Sequence, residues 1–321
     1  MQRLALAILL AMCPFAGGAH AQPFPDRPIT LVNPYAAGGP ADLLARTVAD
    51  GMSEVLGRPV VVDNRPGAGT AIGARAVAQA KPDGYTLFIG GSPSHVITPA
   101  LMKDAGYDGI AAFTPIATVA DVPNVLIVPP SRPYRSVADL VAAARGAPGT
   151  MTFATVGVGS IPQFLGILLQ LRADLKLIEV PYKGGAPAAT DLMGGQVDLA
   201  FLNVPAVLSQ VQGGQLRALA VAGATRAKAL PDTPTMAEAG YPDFAMSTWY
   251  GISAPAGTSR EIVGKLHAAI ARTLNTPRMR DKIESQGAQV FLKSPEEYAA
   301  YLQADAKLML ELIKLANMTA N

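Results

Sequence analysis

Residues 30–42 read Thr-Leu-Val-Asn-Pro-Tyr-Ala-Ala-Gly-Gly-Pro-Ala-Asp, an apolar strand that runs into a glycine-rich turn and then a helix. Backbone N–H groups at the start of a helix have no intrahelical acceptor, and the helix dipole adds roughly half a positive charge there. Such a turn binds a carboxylate or phosphate without an arginine. In open parallel sheets, ligands bind at the carboxyl ends of strands, where this turn lies. The sequence therefore predicts an anion site at Tyr35, Ala36, Ala37, Gly38 and Gly39.

Asp42, just inside the helix, belongs to the same candidate site. A carboxylate near a helix N-terminus accepts backbone N–H groups and complements the helix dipole. We therefore expect Asp42 to cap the helix rather than to contact an anionic ligand.

A second glycine-rich turn follows another strand and reads Thr-Val-Gly-Val-Gly-Ser over residues 155–160. Glycine has no Cβ, so Gly157 and Gly159 let the backbone approach a ligand closely. Thr155 and Ser160 supply hydroxyl groups, and Ser160 is equally suited to cap the next helix. We predict that this turn binds the same anion as the first.

Two more polar positions follow predicted strands. Residues 182–186 form a third such turn, in which Lys183 either lends a charge to a carboxylate or points into solvent. Asn203 ends a strand just before Pro205 and either orients a ligand or fastens that turn.

The first 21 residues are predicted to be a signal peptide. Arg3 precedes the apolar run 4–12, and Ala19-His-Ala21 forms a small-residue cleavage site. Cleavage after Ala21 would place the mature protein in the periplasm. A lipoprotein anchor at Cys13 is the alternative, although Met12 stands where a small residue is expected.

Composition narrows the class of protein. Removing the signal from 321 residues leaves enough chain for two ordinary domains. The single cysteine lies in the signal, so we expect no disulfide. With 26 basic and 24 acidic residues, the charge argues against nucleic acid or anionic membrane as a partner. No later apolar run is long enough to span a bilayer, so no direct membrane insertion is expected.

Short β-rich runs alternate with alanine-rich amphipathic stretches, a pattern typical of an α/β fold with mostly parallel sheet. The strands form an early and a middle set, and the chain then returns near residue 248. This order predicts two Rossmann-like lobes joined by crossover hinge strands at Val122–Ile127 and Ser247–Ile252, with a ligand cleft between them. Residues 22–122 plus 253–321 are assigned to lobe 1, and residues 123–252 to lobe 2.

Local signals predict where several helices begin and end. Thr258 with Glu261, and Ser294 with Glu297, have the spacing of capping boxes. The pairs at 194–195 and 213–214 are both Gly-Gly between a helix and a strand, and we interpret them as helix C-caps.

Signals for catalysis are poor. Ser92 and His95 follow the strand Thr86–Ile89, and Ser92 is a candidate cleft residue. An exported enzyme that uses His95 and Ser92 is therefore the rival hypothesis, although no G-x-S-x-G motif is present. Residues 67–73 read G-x-G-x-x-x-G, which departs from the dinucleotide fingerprint, and no cofactor or metal site is predicted.

Ordered motifs along the mature chain resemble the solute receptors of tripartite tricarboxylate transporters, also called the Bug (Bordetella uptake gene) receptor family. The most specific are Pro25-Asp-Arg-Pro-Ile-Thr-Leu-Val, Gly38-Gly-Pro-Ala-Asp42, Asp63-Asn-Arg-Pro-Gly-Ala-Gly69, Pro82-Asp-Gly-Tyr-Thr-Leu87, Pro181-Tyr-Lys-Gly-Gly185, Gly194-Gly-Gln-Val-Asp198, Leu230-Pro-Asp-Thr-Pro-Thr-Met-Ala-Glu-Ala-Gly240 and Trp249-Tyr-Gly.

The resemblance implies a type II periplasmic-binding-protein-like fold. It also implies a small carboxylate ligand, held between the lobes largely by backbone N–H groups of the first two glycine turns. Such receptors, expected to be monomers, deliver the ligand to a two-subunit membrane permease, and some instead feed a sensor kinase. Two departures stand out. Ala36-Ala37 replaces the usual prolines, and Leu202 stands where many relatives have Asp, which argues against an amino-acid ligand.

Overall fold

The computed structural model describes residues 24–242, 244, 246–316 and 318. The predicted signal peptide and its cleavage site lie outside the described residues. Among the described residues, no helix is long and apolar enough to span a membrane.

Strands and helices alternate along most of the chain, as the sequence pattern predicts. The strands are β1 Ile29–Asn33, β2 Val60–Asn64, β3 Thr86–Gly90, β4 Phe113–Val122, β5 Asn124–Val128, β6 Thr152–Thr155, β7 Ile178–Pro181, β8 Leu199–Asn203, β9 Arg217–Ala222, β10 Thr248–Pro255 and β11 Gln289–Val290. The helices are α1 Pro40–Leu56, α2 Ala71–Ala78, α3 Thr98–Leu101, α4 Val137–Gly146, α5 Ile161–Ala173, α6 Gly185–Met193, α7 Val204–Gln212, α8 Arg260–Leu274, α9 Pro277–Ser285 and α10 Pro295–Leu315.

These strands form two sheets, with the orders β11-β4-β10-β3-β1-β2 and β7-β6-β8-β5-β9. In the first sheet β1 pairs in parallel with β2 and β3, and in the second β6 pairs in parallel with β7 and β8. Strands β5 and β10 run antiparallel to their neighbours. The α/β architecture with two lobes, each built on its own sheet, is thereby confirmed.

The chain crosses between the sheets twice. In the first crossover a single residue, Pro123, separates β4 from β5, and in the second, residues 223–247 lead from β9 to β10. Strand β10 pairs with β4 along its whole length, from Thr248 opposite Val122 to Pro255 opposite Phe113. The predicted lobe boundary at residue 252 falls inside this strand, and the domain boundaries stay a prediction.

Polar side chains tie the two crossovers together. Asn203 Nδ2 donates to Thr248 Oγ1 at 3.0 Å and to Asn124 Oδ1 at 3.2 Å, and Asn124 Nδ2 donates to Thr248 Oγ1 at 3.1 Å. The backbone N–H of Val204 donates to the carbonyl of Pro123 at 2.9 Å. The ends of β4, β5, β8 and β10 therefore meet in one hydrogen-bonded cluster.

Side-chain caps set several helix ends. Ser294 and Glu297 form the predicted capping box at the start of α10. The capping box predicted for Thr258 is wrong, because Ser259 caps α8 and accepts from the N–H of Ile262, whereas Thr258 Oγ1 donates to the Pro255 carbonyl.

The Gly-Gly pairs end α6 and α7 as predicted. Gly195 and Gly214 have φ of +69° and +70°, the left-handed region that glycine adopts at little cost. Their N–H groups donate to the carbonyls of Leu192 and Val211.

Two further contacts join the lobes. A Cβ added at Gly159 would lie 2.9 Å from Cγ2 of Ile97, a residue of the π-helical turn Pro93–Ile97 after β3. In the second crossover, Lys228 Nζ lies 2.7 Å from Glu284 Oε1 on α9. The second turn of the candidate site therefore lies directly against the first lobe.

Gly51 permits the close approach of α1 to α8 and α9. An added Cβ would lie 2.3 Å from Cγ2 of Thr273 and 2.7 Å from Cε of Met279. We expect Gly51→Ala to lower the free energy of unfolding by about 1–3 kcal/mol, because overpacking outweighs the gain in helix propensity. The matched variant Gly264→Ala, on an exposed helical position with no atom within 4 Å, should raise it by up to about 1 kcal/mol.

Denaturant unfolding of both variants measures the difference. Shifts of the same sign for Gly51→Ala and Gly264→Ala would contradict the assigned packing.

Candidate functional site

The first turn joins β1 to α1 and presents backbone donors at the carboxyl edge of the first sheet. Gly38 has φ of +81°, and Gly39 is the N-cap residue without a side-chain cap. Among the described residues, the N–H groups of Ala36, Ala37 and Gly39 have no hydrogen-bond acceptor. All three residues lie at least partly in solvent.

Asp42 is buried beneath this turn and is fully paired. Its Oδ2 accepts from the N–H of Gly38 at 2.9 Å and from Arg46 Nε at 3.1 Å, and its Oδ1 accepts from Asn64 Nδ2 at 2.9 Å. Burial raises the pKa of Asp42, but the Gly38 N–H, the Arg46 guanidinium and the Asn64 amide together lower it below its ordinary value. Asp42 thus holds the turn and removes one of its donors.

Two tyrosines lie beside the first turn. The ring centroids of Tyr35 and Tyr250 are 6.0 Å apart in an edge-to-face arrangement. Burial raises the pKa of both phenols, so both are neutral donors at physiological pH. Asn33, at the end of β1, is buried, and its Nδ2 has no partner among the described residues. The sequence indicated Tyr35 as a site residue but did not indicate that Tyr250 lies next to it. The two residues are far apart in the chain, and only the fold brings them together.

The second turn joins β6 to α5. Gly157 and Gly159 have φ of +112° and +77°, which explains why glycine occupies both positions. Ser160 caps α5, as one of its two predicted roles requires. Within the described chain, the N–H groups of Gly157 and Val158 have no acceptor, whereas that of Gly159 donates to Gln163 Oε1 at 2.8 Å.

The hydroxyl of Thr155 is already paired below this turn. Thr155 is buried, and its Oγ1 donates to Glu179 Oε1 at 2.9 Å. Gln163 Nε2 donates to the same oxygen at 2.8 Å. Thr155 and Gln163 therefore support the turn from below, and the backbone supplies its available donors.

The two remaining turn positions have different surroundings. Lys183 is exposed and makes no hydrogen bond or ion pair with the described residues. Asn203 gives its amide to Asn124 and Thr248, so its side chain fastens the crossovers. Leu202, the departure from the family pattern, is buried in the core of the second lobe.

Ser92 and His95 are both buried, Ser92 as the N-cap of the π-helical turn that follows β3 and His95 within that turn. The Ser92 hydroxyl faces the carboxyl of Asp305 on α10. His95 Nδ1 lies 2.7 Å from the Gly109 carbonyl, and its Nε2 lies 3.5 Å from the Tyr298 hydroxyl. Burial lowers the pKa of His95 to about 4, although the Gly109 carbonyl raises it. Within the described residues, no serine or threonine hydroxyl forms a hydrogen bond with His95 or with His267, the other histidine of this part of the chain.

Residues 67–70, between β2 and α2, form a strained segment. Two non-glycine residues, Ala68 and Thr70, have φ of +46° and +89°. Such conformations cost about 1–3 kcal/mol and persist where neighbours enforce them. Thr98 Oγ1 donates to the Gly69 carbonyl and lies 3.5 Å from Thr70 Oγ1. The sequence analysis considered the glycines of this segment as a dinucleotide turn and as part of the family motif at residues 63–69.

Comparison with known proteins places the chain among solute receptors. A family model described as tripartite tricarboxylate transporter family receptor matches residues 44–318. Protein BugT of Bordetella pertussis is 36% identical over 298 residues, which cover 92% of this chain and 91% of that protein.

Two solved structures match over nearly the whole fold. Periplasmic binding protein BugD has a TM-score of 0.81 at 35% identity, and R. palustris Rpa4515, solved with adipate, has 0.85 at 36% identity. Each match covers 93% of this chain and 100% of the other chain. The resemblance and the periplasmic-binding-protein-like fold are thereby confirmed.

We expect Asp42→Asn to lower the free energy of unfolding at pH 7 by about 1–3 kcal/mol, since it removes charge-assisted hydrogen bonds in a buried place. The folded pKa of Asp42 is depressed, so its stabilisation is present above the ordinary value of about 4 and is lost as the pH falls through the folded value. The difference between the variant and the wild type should therefore shrink at acid pH.

Denaturant unfolding at pH 7 and pH 3 checks this expectation. Asp50→Asn, an exposed carboxylate on the same helix, is the control and should change stability little at either pH. An Asp42→Asn effect equal to that of the control would contradict the assigned role.

Proposed function

The chain belongs to the tripartite tricarboxylate transporter receptor family, and from this premise we propose that it captures a small carboxylate between its lobes for a membrane transporter. The family consists of extracytoplasmic solute receptors. The proposal concerns the ligand class, the residues that hold the ligand and the partner that receives it.

The observation that carries the proposal is the pair of backbone donor sets at the two glycine turns. Ala36 and Ala37 present N–H groups without acceptors on the first lobe, and Gly157 and Val158 do so on the second. The contact between Gly159 and Ile97 brings the two lobes together beside the second turn. A carboxylate that bridges the turns would satisfy donors from both lobes and hold them closed.

Backbone donors suffice for useful affinity. Hydrogen bonds to a charged group contribute about 1.5–3 kcal/mol each, and a micromolar dissociation constant corresponds to roughly 8 kcal/mol. Arg46 is paired with Asp42 and is therefore not available to bind the ligand. In the proposed site the backbone N–H groups of the first turn take the place of a cationic side chain. Lys183 adds a long-range positive charge at most.

The chemistry beside the first turn favours a dicarboxylate over an amino acid. Both oxygens of Asp42 are occupied, so this carboxylate has no place for an ammonium group. The neutral phenols of Tyr35 and Tyr250 are donors suited to a second carboxylate. Rpa4515, which was solved with adipate, provides a precedent for a dicarboxylate on this fold.

We further propose that the mature monomer is exported after cleavage at Ala21 and delivers its ligand to a two-subunit permease. A sensor kinase is the alternative receiver. The enzyme hypothesis has less support, because His95 is enclosed and its ring nitrogens face a carbonyl and a phenol. Turnover of a bound carboxylate that His95→Ala abolishes would favour the enzyme.

Calorimetric titration with adipate, malate, glutamate and a monocarboxylate tests the ligand class. We expect at least one dicarboxylate to bind with micromolar affinity and glutamate to bind at least about tenfold more weakly. Preferential binding of glutamate would contradict the proposed class.

Gly39→Val tests the turn. At Gly39 φ is −81° and an added Cβ meets only the Ala36 carbonyl at 3.6 Å, so the fold tolerates the side chain while it covers the donors. We expect binding of the identified dicarboxylate to weaken at least about 100-fold, the value of one to two charge-assisted hydrogen bonds. Gly146→Val, at the end of α4 with no atom within 4 Å, is the matched control and should bind normally. Normal binding by Gly39→Val would contradict the assignment.

A further inference from the structure

The carboxyl of Asp305 lies on α10 where that helix packs against β10. Its Oδ2 is enclosed and has no hydrogen-bond partner among the described residues, and the same is true of Nε1 of Trp249. The Trp249 indole and the Ser92 hydroxyl both face this carboxyl. Three segments therefore converge on one ionisable group: α10, β10 and the turn after β3.

Aromatic packing fixes the position of this group. The ring centroid of Trp249 lies 5.4 Å from that of Tyr301, 5.7 Å from that of Tyr298 and 6.3 Å from that of His95. Asp305 follows Tyr301 by one helical turn, so both side chains lie on the same face of α10. The carboxyl is thus held beside the indole by packing on both sides.

The ionisable neighbours offer an anionic Asp305 little compensation. Burial lowers the pKa of His95 to about 4, so His95 is neutral at pH 6. Asp121 on β4 lies near Tyr301 and is a partly buried carboxyl that accepts a hydrogen bond from the Ser247 hydroxyl. The ammonium group of Lys293 lies over the ring of Tyr301, with Nζ 5.6 Å from the ring centroid. Within the described residues, Asp305 has no salt bridge.

We propose that the Asp305 carboxyl is a proton-binding switch that joins the C-terminal helix to strand β10 at the second crossover. When protonated, the carboxyl is neutral and remains enclosed against Trp249 and Ser92 at a lower cost than the ionised form would incur. When ionised, it lacks a compensating charge and must recover hydration, which loosens α10 from β10. Because Trp249 follows Thr248, the switch acts next to the hydrogen-bonded cluster that ties the crossovers together.

The direction of the pH effect follows from the burial. Burial raises the pKa of Asp305 from 3.8 to about 6, although Ser92 and Trp249 lower it. Between pH 3.8 and about pH 6, Asp305 is protonated in the folded state and ionised in the unfolded state, so folding takes up a proton. The contribution of Asp305 to the free energy of unfolding therefore falls as the pH rises through this range, and it no longer changes with pH above it. A difference of about two pH units corresponds to about a 100-fold change in the unfolding equilibrium constant.

Trp249 provides a direct readout, because it is the only tryptophan in the chain. We expect its intrinsic fluorescence to titrate with a midpoint near pH 6 in the wild type and to lose this transition in Asp305→Asn. Asp121→Asn, which removes the other carboxyl near Tyr301, should keep the transition. Ser92→Ala removes a group that lowers the pKa, so it should move the midpoint upward.

Unfolding by denaturant between pH 4 and pH 7 gives a second measurement. The wild type should lose stability relative to Asp305→Asn over this range, by about 100-fold in the unfolding constant. A wild-type fluorescence signal without a transition between pH 5 and pH 7, or a transition that persists in Asp305→Asn, would overturn the proposal. Should Asp305→Asn fold poorly, an unchanged midpoint in Ser92→Ala would overturn it equally.

Discussion

Backbone N–H groups that a helix start cannot satisfy are the constraint on which the candidate site depends. Every α-helix leaves its first donors without intrahelical acceptors. In this protein Asp42 takes the donor of Gly38 and Gln163 takes that of Gly159, and the N–H groups of Ala36, Ala37, Gly157 and Val158 have no acceptor among the described residues. Because these donors belong to the backbone, only proline or a change of turn geometry removes them. The site we propose is therefore a property of the fold more than of its side chains.

Local signals in the sequence predicted most of the fold. Strand periodicity and Gly-Gly pairs depend on neighbouring residues, which explains why both sheets and the ends of α6 and α7 were predicted. Thr258 shows where such signals fail. Thr258 and Ser259 carry the same hydroxyl chemistry one residue apart, and the choice between them depends on the Pro255 carbonyl that Thr258 contacts.

The roles of side chains within the site were harder to predict from the sequence, because they depend on partners that are far away in the chain. Asn203 bonds to Thr248, 45 residues later, and Tyr35 meets Tyr250 across the sheet. Ser92 was expected to line the cleft, and its hydroxyl faces Asp305 on the C-terminal helix. A single sequence shows which functional groups such residues carry, but the fold determines which groups they contact.

The two crossovers differ in length and in the way the backbone is restrained. The first is one residue long, and that residue is Pro123, whose ring fixes φ near −65°. The second spans residues 223–247, and it packs on the second lobe through buried residues such as Leu230 and Met236 and through backbone hydrogen bonds to Val221. If the lobes move relative to each other, the fixed φ of Pro123 limits the backbone rotation available at the first crossover. We expect so short and restricted a connection to limit the orientations open to the lobes and thus to favour one alignment of the two turns.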